Sequence, residues 1–264
     1  MDDLPAEILW MILREKVDPV DRVACRRVSC LWRQVLRCTR EPKYRTGGSH
    51  YASTLARDGQ LNVLCWATTN GCLTDRATCS SAAGRGHLEV LQWARENGCP
   101  WDEWTCADAA DGGHLGVLQW ARANGCPWSE WTCAFAAGGG HLEVLEWVRA
   151  NGCPWNETVC AHAARGGHLD VLRWLRANGC PWDEDTCTGA ASRGHLGVLR
   201  WARANGCPWS VWTCAYASER GHIEVLMWAR DNGCPWRALD CMDRAKARNR
   251  NAIVGWIAQA QEGA

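Results

Sequence analysis

A phrase of 27 residues, GHLEVLQWARENGCPWDEWTCADAADG beginning at Gly86, returns through most of this 264-residue chain. Its frame is fixed by Gly86, Gly113, Gly140, Gly167, Gly194 and Gly221, each followed by a histidine: His87, His114, His141, His168, His195 and His222. Self-similarity at this period marks stacked units, none of which can bury its apolar face alone. The chain therefore builds its core by addition along one axis, and its length counts units rather than globular domains.

Each unit carries its own punctuation. Asp102, Ser129, Asn156, Asp183 and Ser210 follow a Pro-Trp pair and are strong helix N-caps, so a short first helix rich in Ala and Cys starts there. It runs to the Gly112-Gly113 pair, and a second helix follows from His114 to about Asn124. Gly125 ends that helix, Arg122 in its last turn faces the negative dipole end, and Cys126-Pro127 forbids continuation. In the second helix Val117, Leu118 and Ala121 share one face. Gly116, Gln119 and Ala123 hold positions that elsewhere carry Glu89, Glu143, Arg173 and Asp231, so one face is core and the other wet. Counting from residue 48 and ending on a polar-capped last unit (Arg244 to Asn251, then Ile253 to Ile257) gives about eight units. The predicted fold class is an all-α solenoid of helix-turn-helix units.

Eighteen cysteines suggest a disulfide framework until they are sorted. Fourteen form two ladders: Cys72, Cys99, Cys126, Cys153, Cys180, Cys207 and Cys234 in one; Cys79, Cys106, Cys133, Cys160, Cys187, Cys214 and Cys241 in the other. Equivalent residues of stacked helices lie roughly 8–10 Å apart, whereas a disulfide needs Cα atoms within about 7 Å. Sulfurs sharing zinc must approach to roughly 4 Å. Bridging along a ladder is thus excluded and no metal site is expected; a pairing inside one unit, such as Cys99 with Cys106, stays open. Fourteen of nineteen tryptophans are also ladder positions: Trp66, Trp93, Trp120, Trp147, Trp174, Trp201, Trp228 and Trp256 on second helices; Trp101, Trp128, Trp155, Trp182, Trp209 and Trp236 in the loops. They are read as packing between units, each indole N–H needing an acceptor. The histidines, directly after turn glycines, are read as ties from one turn to the next; His162 stands off that ladder.

Lys plus Arg and Asp plus Glu are 29 each, so no global field favours nucleic acid or an anionic membrane, and the expected partner is protein. The start, with two acids and the short apolar run Ile8–Leu13, predicts neither signal peptide nor membrane span, hence a cytoplasmic protein. The Arg237, Arg244, Lys246, Arg248, Arg250 cluster reads as a solvated cap or as a nuclear signal. Outside the ladders no Ser/His/acid or metal-ligand cluster stands out, so neither an enzyme nor a cofactor is expected.

Two resemblances follow from these residues. The string Thr132 to Gly152, TCAFAAGGGHLEVLEWVRANG, resembles the ankyrin repeat, at 27 residues per unit instead of about 33. The missing residues fall where ankyrin repeats place a β-hairpin, which implies a tight loop there, and first helices lining the concave side. Such short ankyrin-like repeats are similar to those of giant DNA virus multigene families. Residues 1–46 fall outside the repeat and read as three short helices. Leu4-Pro5-x-Glu7-Ile8-Leu9, Ile12-Leu13, Asp18-Pro19-x-Asp21-Arg22 and Arg27-Val28-Ser29-Cys30-x-Trp32-Arg33 resemble an F-box, with Lys16 standing where Leu is usual. The resemblance implies docking to a Skp-type adaptor, and through it a cullin and a RING subunit, by Leu4, Pro5, Ile8, Leu9, Leu13, Val28 and Trp32; the alternative is that these residues pack onto the first repeat. The repeats would then occupy 48–262.

Positions that refuse the repeat are the candidates for specificity, and they gather on one face of the first helix: Trp104, Asp108 and Asp111 at i, i+4 and i+7. Their equivalents include Trp131 and Phe135; His162 and Arg165; Asp185, Gly189 and Ser192; Trp212, Tyr216 and Glu219. Aromatic and Arg residues with scattered acids have the make-up of a protein-binding strip; the competing reading is that the aromatics fill gaps over a core of Ala and Cys. The expected function is a monomeric, non-catalytic substrate-recognition adaptor of a Skp-cullin-F-box ubiquitin ligase; the alternative is a scaffold or decoy that sequesters a partner.

Overall fold

The computed structural model describes residues 48–69 and 71–262. Among them are sixteen helices and no strand, arranged as eight helix-turn-helix pairs. The described residues divide into two compact halves, one ending at Trp128 and the other beginning at Ser129. The first half holds α1 (Gly48–Arg57), α2 (Leu61–Thr69), α3 (Arg76–Ala83), α4 (Leu88–Glu96), α5 (Glu103–Asp111) and α6 (Leu115–Ala123). The second holds α7 (Glu130–Gly139), α8 (Leu142–Ala150), α9 (Glu157–Gly166), α10 (Leu169–Ala177), α11 (Glu184–Arg193), α12 (Leu196–Ala204), α13 (Val211–Arg220), α14 (Ile223–Asp231), α15 (Ala238–Ala247) and α16 (Asn251–Glu262). Within each half, first helices pack on first helices, α1 on α3 and α3 on α5, then α7 on α9 and onward to α15.

The two helix types bury different things. Second helices contribute a Val-Leu pair and a small residue one turn on, such as Val117, Leu118 and Ala121, or Val144, Leu145 and Val148. The leucines Leu64, Leu91, Leu118, Leu145, Leu172, Leu199 and Leu226 are fully enclosed, each stabilising the stack by about 1.5–3 kcal/mol. First helices bury Thr, Cys and Ala, as in Thr132, Cys133, Ala134, Ala136 and Ala137. Residues this small let neighbouring first helices come close.

The predicted caps form with one difference. The Asp102, Asn156 and Asp183 carboxylate or amide oxygens accept from the second helical N–H, that of Trp104, Thr158 and Asp185, at 3.2, 3.1 and 3.0 Å. Ser129 and Ser210 keep the same extended backbone without a side-chain cap bond, their hydroxyls buried instead. Gly140 adopts φ 78° to close α7. A Cβ there would also come within 2.5 Å of the His168 ring, so this turn requires glycine twice over. The histidine tie is visible at the ends of the ladder: His87 Nε2 donates to Arg57 O at 3.1 Å, and His222 bonds the Ser192 backbone.

The loop after each second helix carries the chemistry that the ladder letters encode. Cys99 donates its thiol to Asp75 O at 3.0 Å, and Cys126, Cys153, Cys180, Cys207 and Cys234 repeat the bond to Asp102, Ser129, Asn156, Asp183 and Ser210. The thiol thus ties the loop back to the N-cap carbonyl of its own helix pair. The cysteines are free and, Cys65 excepted, buried among the described residues. The neighbour of Cys99 is Cys79 rather than Cys106, whose own neighbour is Cys126. The two ladders meet one another, twenty residues apart in sequence. The partner thiol and burial push Cys79, Cys133, Cys160, Cys187 and Cys214 far above the ordinary thiol value, which leaves them protonated and unreactive at neutral pH.

The tryptophans are half-buried rather than sealed between units, and arginine completes them. Arg95, Arg122, Arg149, Arg176 and Arg203 donate to the carbonyls of Cys99, Cys126, Cys153, Cys180 and Cys207. Their guanidinium groups lie over Trp101, Trp128, Trp155, Trp182 and Trp209 at 3.8–4.2 Å from the ring centre. Trp101, Trp155, Trp182 and Trp209 then meet Trp120, Trp174, Trp201 and Trp228 edge to face at 5.9–6.1 Å. The last-turn arginine, expected only to complement the helix dipole, is a cation–π lid that also satisfies a loop carbonyl.

Candidate functional site

The residues proposed for adaptor docking, Leu4, Pro5, Ile8, Leu9, Leu13, Val28 and Trp32, lie outside the described residues. The proposed target-binding residues all lie within them and divide between the halves.

In the first half the three positions fall on α5. Trp104 is exposed, at 42% of its surface, and Asp111 is exposed one face-length along. Asp108, between them, is half-buried. Burial raises its carboxyl above the ordinary range, partly opposed by a hydrogen bond from Ser80 on α3. Asp108 therefore serves the packing of α5 on α3 as much as any ligand.

In the second half the strip is continuous through a series of packed first helices. Trp131 and Phe135 of α7 and His162 of α9 form a three-ring cluster, with centroids 5.8–6.1 Å apart. All three are half-buried, so part of each ring fills space above the Ala and Cys core and part faces outward. Arg165 on α9 and Asp185 on α11 are exposed. On α13, Trp212 is 46% exposed and stacks obliquely on Tyr216 at 6.0 Å. Arg244 of α15 lies over both rings, at 5.0 and 5.7 Å.

Glu219 departs from the expectation of a ligand-facing acid. Its side chain is only 14% exposed and is claimed by Arg244 Nη1 and Arg248 Nη2, each at 3.2 Å; Arg250 Nε donates to its main-chain carbonyl. It anchors the last helix pair. The same bonds engage three members of the basic cluster, while Arg237 and Lys246 are exposed. The signal for this anchor was available, since Glu219 precedes the last unit, which carries Arg244, Arg248 and Arg250.

Among the described residues no group of three or more His, Cys, Asp or Glu could hold a metal ion, and no helix is long and apolar enough to cross a membrane. The strip offers ring faces and a few charges.

No curated protein matches the chain. The array is similar to a solved structure described as the crystal structure of human ASB11 ankyrin repeat domain, with 16% identity and a TM-score of 0.46, covering 60% of this chain and 84% of that one. The helical-repeat assignment rests on the helices themselves. An F-box-like family model matches residues 1–40, so the chain joins an F-box-like N-terminal segment to an all-α repeat array.

Proposed function

We propose that the protein is a non-catalytic substrate-recognition adaptor of a Skp-cullin-F-box ubiquitin ligase. The F-box-like segment docks a Skp-type adaptor through Leu4, Pro5, Ile8, Leu9, Leu13, Val28 and Trp32, and the first-helix faces capture a target protein. The observation that carries this reading is the pairing in one chain of the 1–40 match with an array whose off-repeat residues gather on one face. Each half carries at that first-helix position an exposed tryptophan outside the ladders that hold the scaffold together, Trp104 in one and Trp212 in the other. The reading places the protein in the cytoplasm, of a host cell if the giant-virus resemblance holds.

Co-precipitation of the full chain with a Skp-type adaptor tests it. Leu4→Asp with Ile8→Asp abolishes capture of the adaptor while Trp212→Ala leaves it intact; adaptor binding retained by the double variant contradicts the docking model. The second reading, a scaffold or decoy that sequesters its partner, shares the strip but not the ligase. It is favoured if the Leu4/Ile8 variant binds partner and leaves partner turnover as it is in the unaltered chain.

A further inference from the structure

The starts of the first helices change character along the second half. The opening pair is Glu130-Trp131 in α7, Glu157-Thr158 in α9 and Glu184-Asp185 in α11, then Val211-Trp212 in α13 and Ala238-Leu239 in α15. Successive pairs are 27 residues apart, so each holds the same place on its helix. An acid at a helix start complements the positive end of the dipole, yet the last two units give it up for an apolar residue. Because α11 packs on α13 and α13 on α15, equivalent positions lie roughly 8–10 Å apart, one helix spacing.

Packing does not absorb these apolar side chains. Trp212 is 46% exposed and Leu239 70%, with Val211 and Ala238 half-buried beside them. Tyr216 continues the surface one turn on, its ring 6.0 Å from that of Trp212. Arg244 lies over both rings, and Asp240 and Glu219 hold it at 3.2 Å each. Its charge is therefore compensated, and its flat guanidinium widens the apolar patch.

The charges around the patch are uneven. On the α11 side Glu184 and Asp185 are exposed, directly after Asp183, whose carboxyl is raised by burial and further by these two neighbours and Glu157. Negative charge is thus concentrated at that border. On the α15 side the exposed Arg237 and Asp243 are of opposite sign.

We propose that the starts of α13 and α15 dock a short segment of a partner protein. The segment places one bulky apolar side chain on Trp212 and another on Leu239, beside a Lys or Arg that faces Glu184 and Asp185. This rests on the reading of the first-helix faces as the target-binding surface and adds the chemistry of the target. The patch is two exposed side chains wide, far short of the roughly 800 Å² per partner of a standard interface between folded proteins. That favours a short segment over a second copy of this chain.

The test is selection by the full chain from a random dodecapeptide array. The selected set is enriched in pairs of bulky apolar residues beside Lys or Arg. Leu239→Asp, a change at a side chain that packs little, leaves the melting temperature unaltered and weakens binding of the set about tenfold or more. Glu184→Gln with Asp185→Asn weakens it about threefold or more at low salt and removes most of its salt dependence. A set that binds the Leu239→Asp variant as tightly as the unaltered chain, yet is lost on Trp131→Ala with His162→Ala, overturns this inference and spares the first-helix faces as the target surface. A set with no excess of Lys and Arg overturns the same inference. Peptides indifferent to substitution at all these positions overturn both. A concentration-dependent dimer in sedimentation that Leu239→Asp abolishes makes the occupant a second copy of this chain and overturns the assignment to a partner.

Discussion

The loop edge and the first-helix face are built from the same 27-residue phrase and follow opposite rules. Along the loops the same trio recurs, with an arginine over a tryptophan at 3.8–4.2 Å and a thiol bonded to an N-cap carbonyl. Along the first-helix face, Phe135, His162, Gly189 and Tyr216 succeed one another at a single position. Where geometry must be identical for units to stack, the residue is fixed; at this partly buried position it varies with the neighbouring first helix. The repeated cysteines, histidines and tryptophans are accordingly scaffold, and the irregular positions are where recognition can differ from one repeat to the next.

The contrast is broken most severely from inside. Leu172→Ala empties a fully enclosed site in α10 and lowers unfolding free energy by about 2–5 kcal/mol, read as a shift of the urea midpoint of the full chain. Arg176→Ala comes next. It strips the cation from Trp182 and the donor from Cys180 O, for a loss of about 1–3 kcal/mol. Arg176→Lys restores only part of it, because an ammonium lacks the planar face. Arg165→Ala, the same change on the first-helix face, moves stability by no more than about 0.5 kcal/mol. Equal losses for Arg176 and Arg165 would erase the distinction between edge and face.

Acid probes the ties between turns. Burial holds His222 below its ordinary value of 6.5, so the folded state favours the neutral ring and the unfolded state binds the extra proton. The stabilising contribution is complete above about pH 6.5 and falls away as pH drops below it. Thermal melts between pH 8 and 5 show this loss, and His222→Gln makes the slope shallower. A small effect of the opposite sign is expected at Asp108, whose carboxyl is raised by burial. Its contribution is present below the ordinary carboxylate value and lost as pH rises, so at pH 7 the buried charge is a cost. Asp108→Asn gains a few tenths to about 1 kcal/mol at neutral pH, and the gain vanishes below about pH 4.

Much of this architecture was legible because the chain supplies its own alignment. The Gly-His frame, the Pro-Trp-Asp starts and the Asn-Gly exits located the helices, and Gly125 and Gly140 take the positive φ those exits imply. What the letters hid were side-chain contacts across the loops and between ladders. A ladder shows that Cys79 and Cys106 are equivalent, not that Cys79 faces Cys99. Likewise Arg122 is separated by six residues from Trp128, and only the tightness of the loop turns that spacing into a stack. Glu219 is legible as a first-helix acid but not as an anchor, since its arginine partners belong to the atypical last unit. The aromatic strip proved to be both half-buried packing and outward surface, a mixture that residue types alone do not apportion.

The most direct test captures binding proteins on the full chain in cells and quantifies them by mass spectrometry, with the Skp-type adaptor as internal reference. The account predicts that Trp131→Ala, His162→Ala and Arg165→Ala together deplete the captured target while adaptor and cullin stay at their unaltered level. Adaptor and target lost together, or a captured set unchanged by these substitutions, would contradict the division of labour between N-terminal segment and first-helix face.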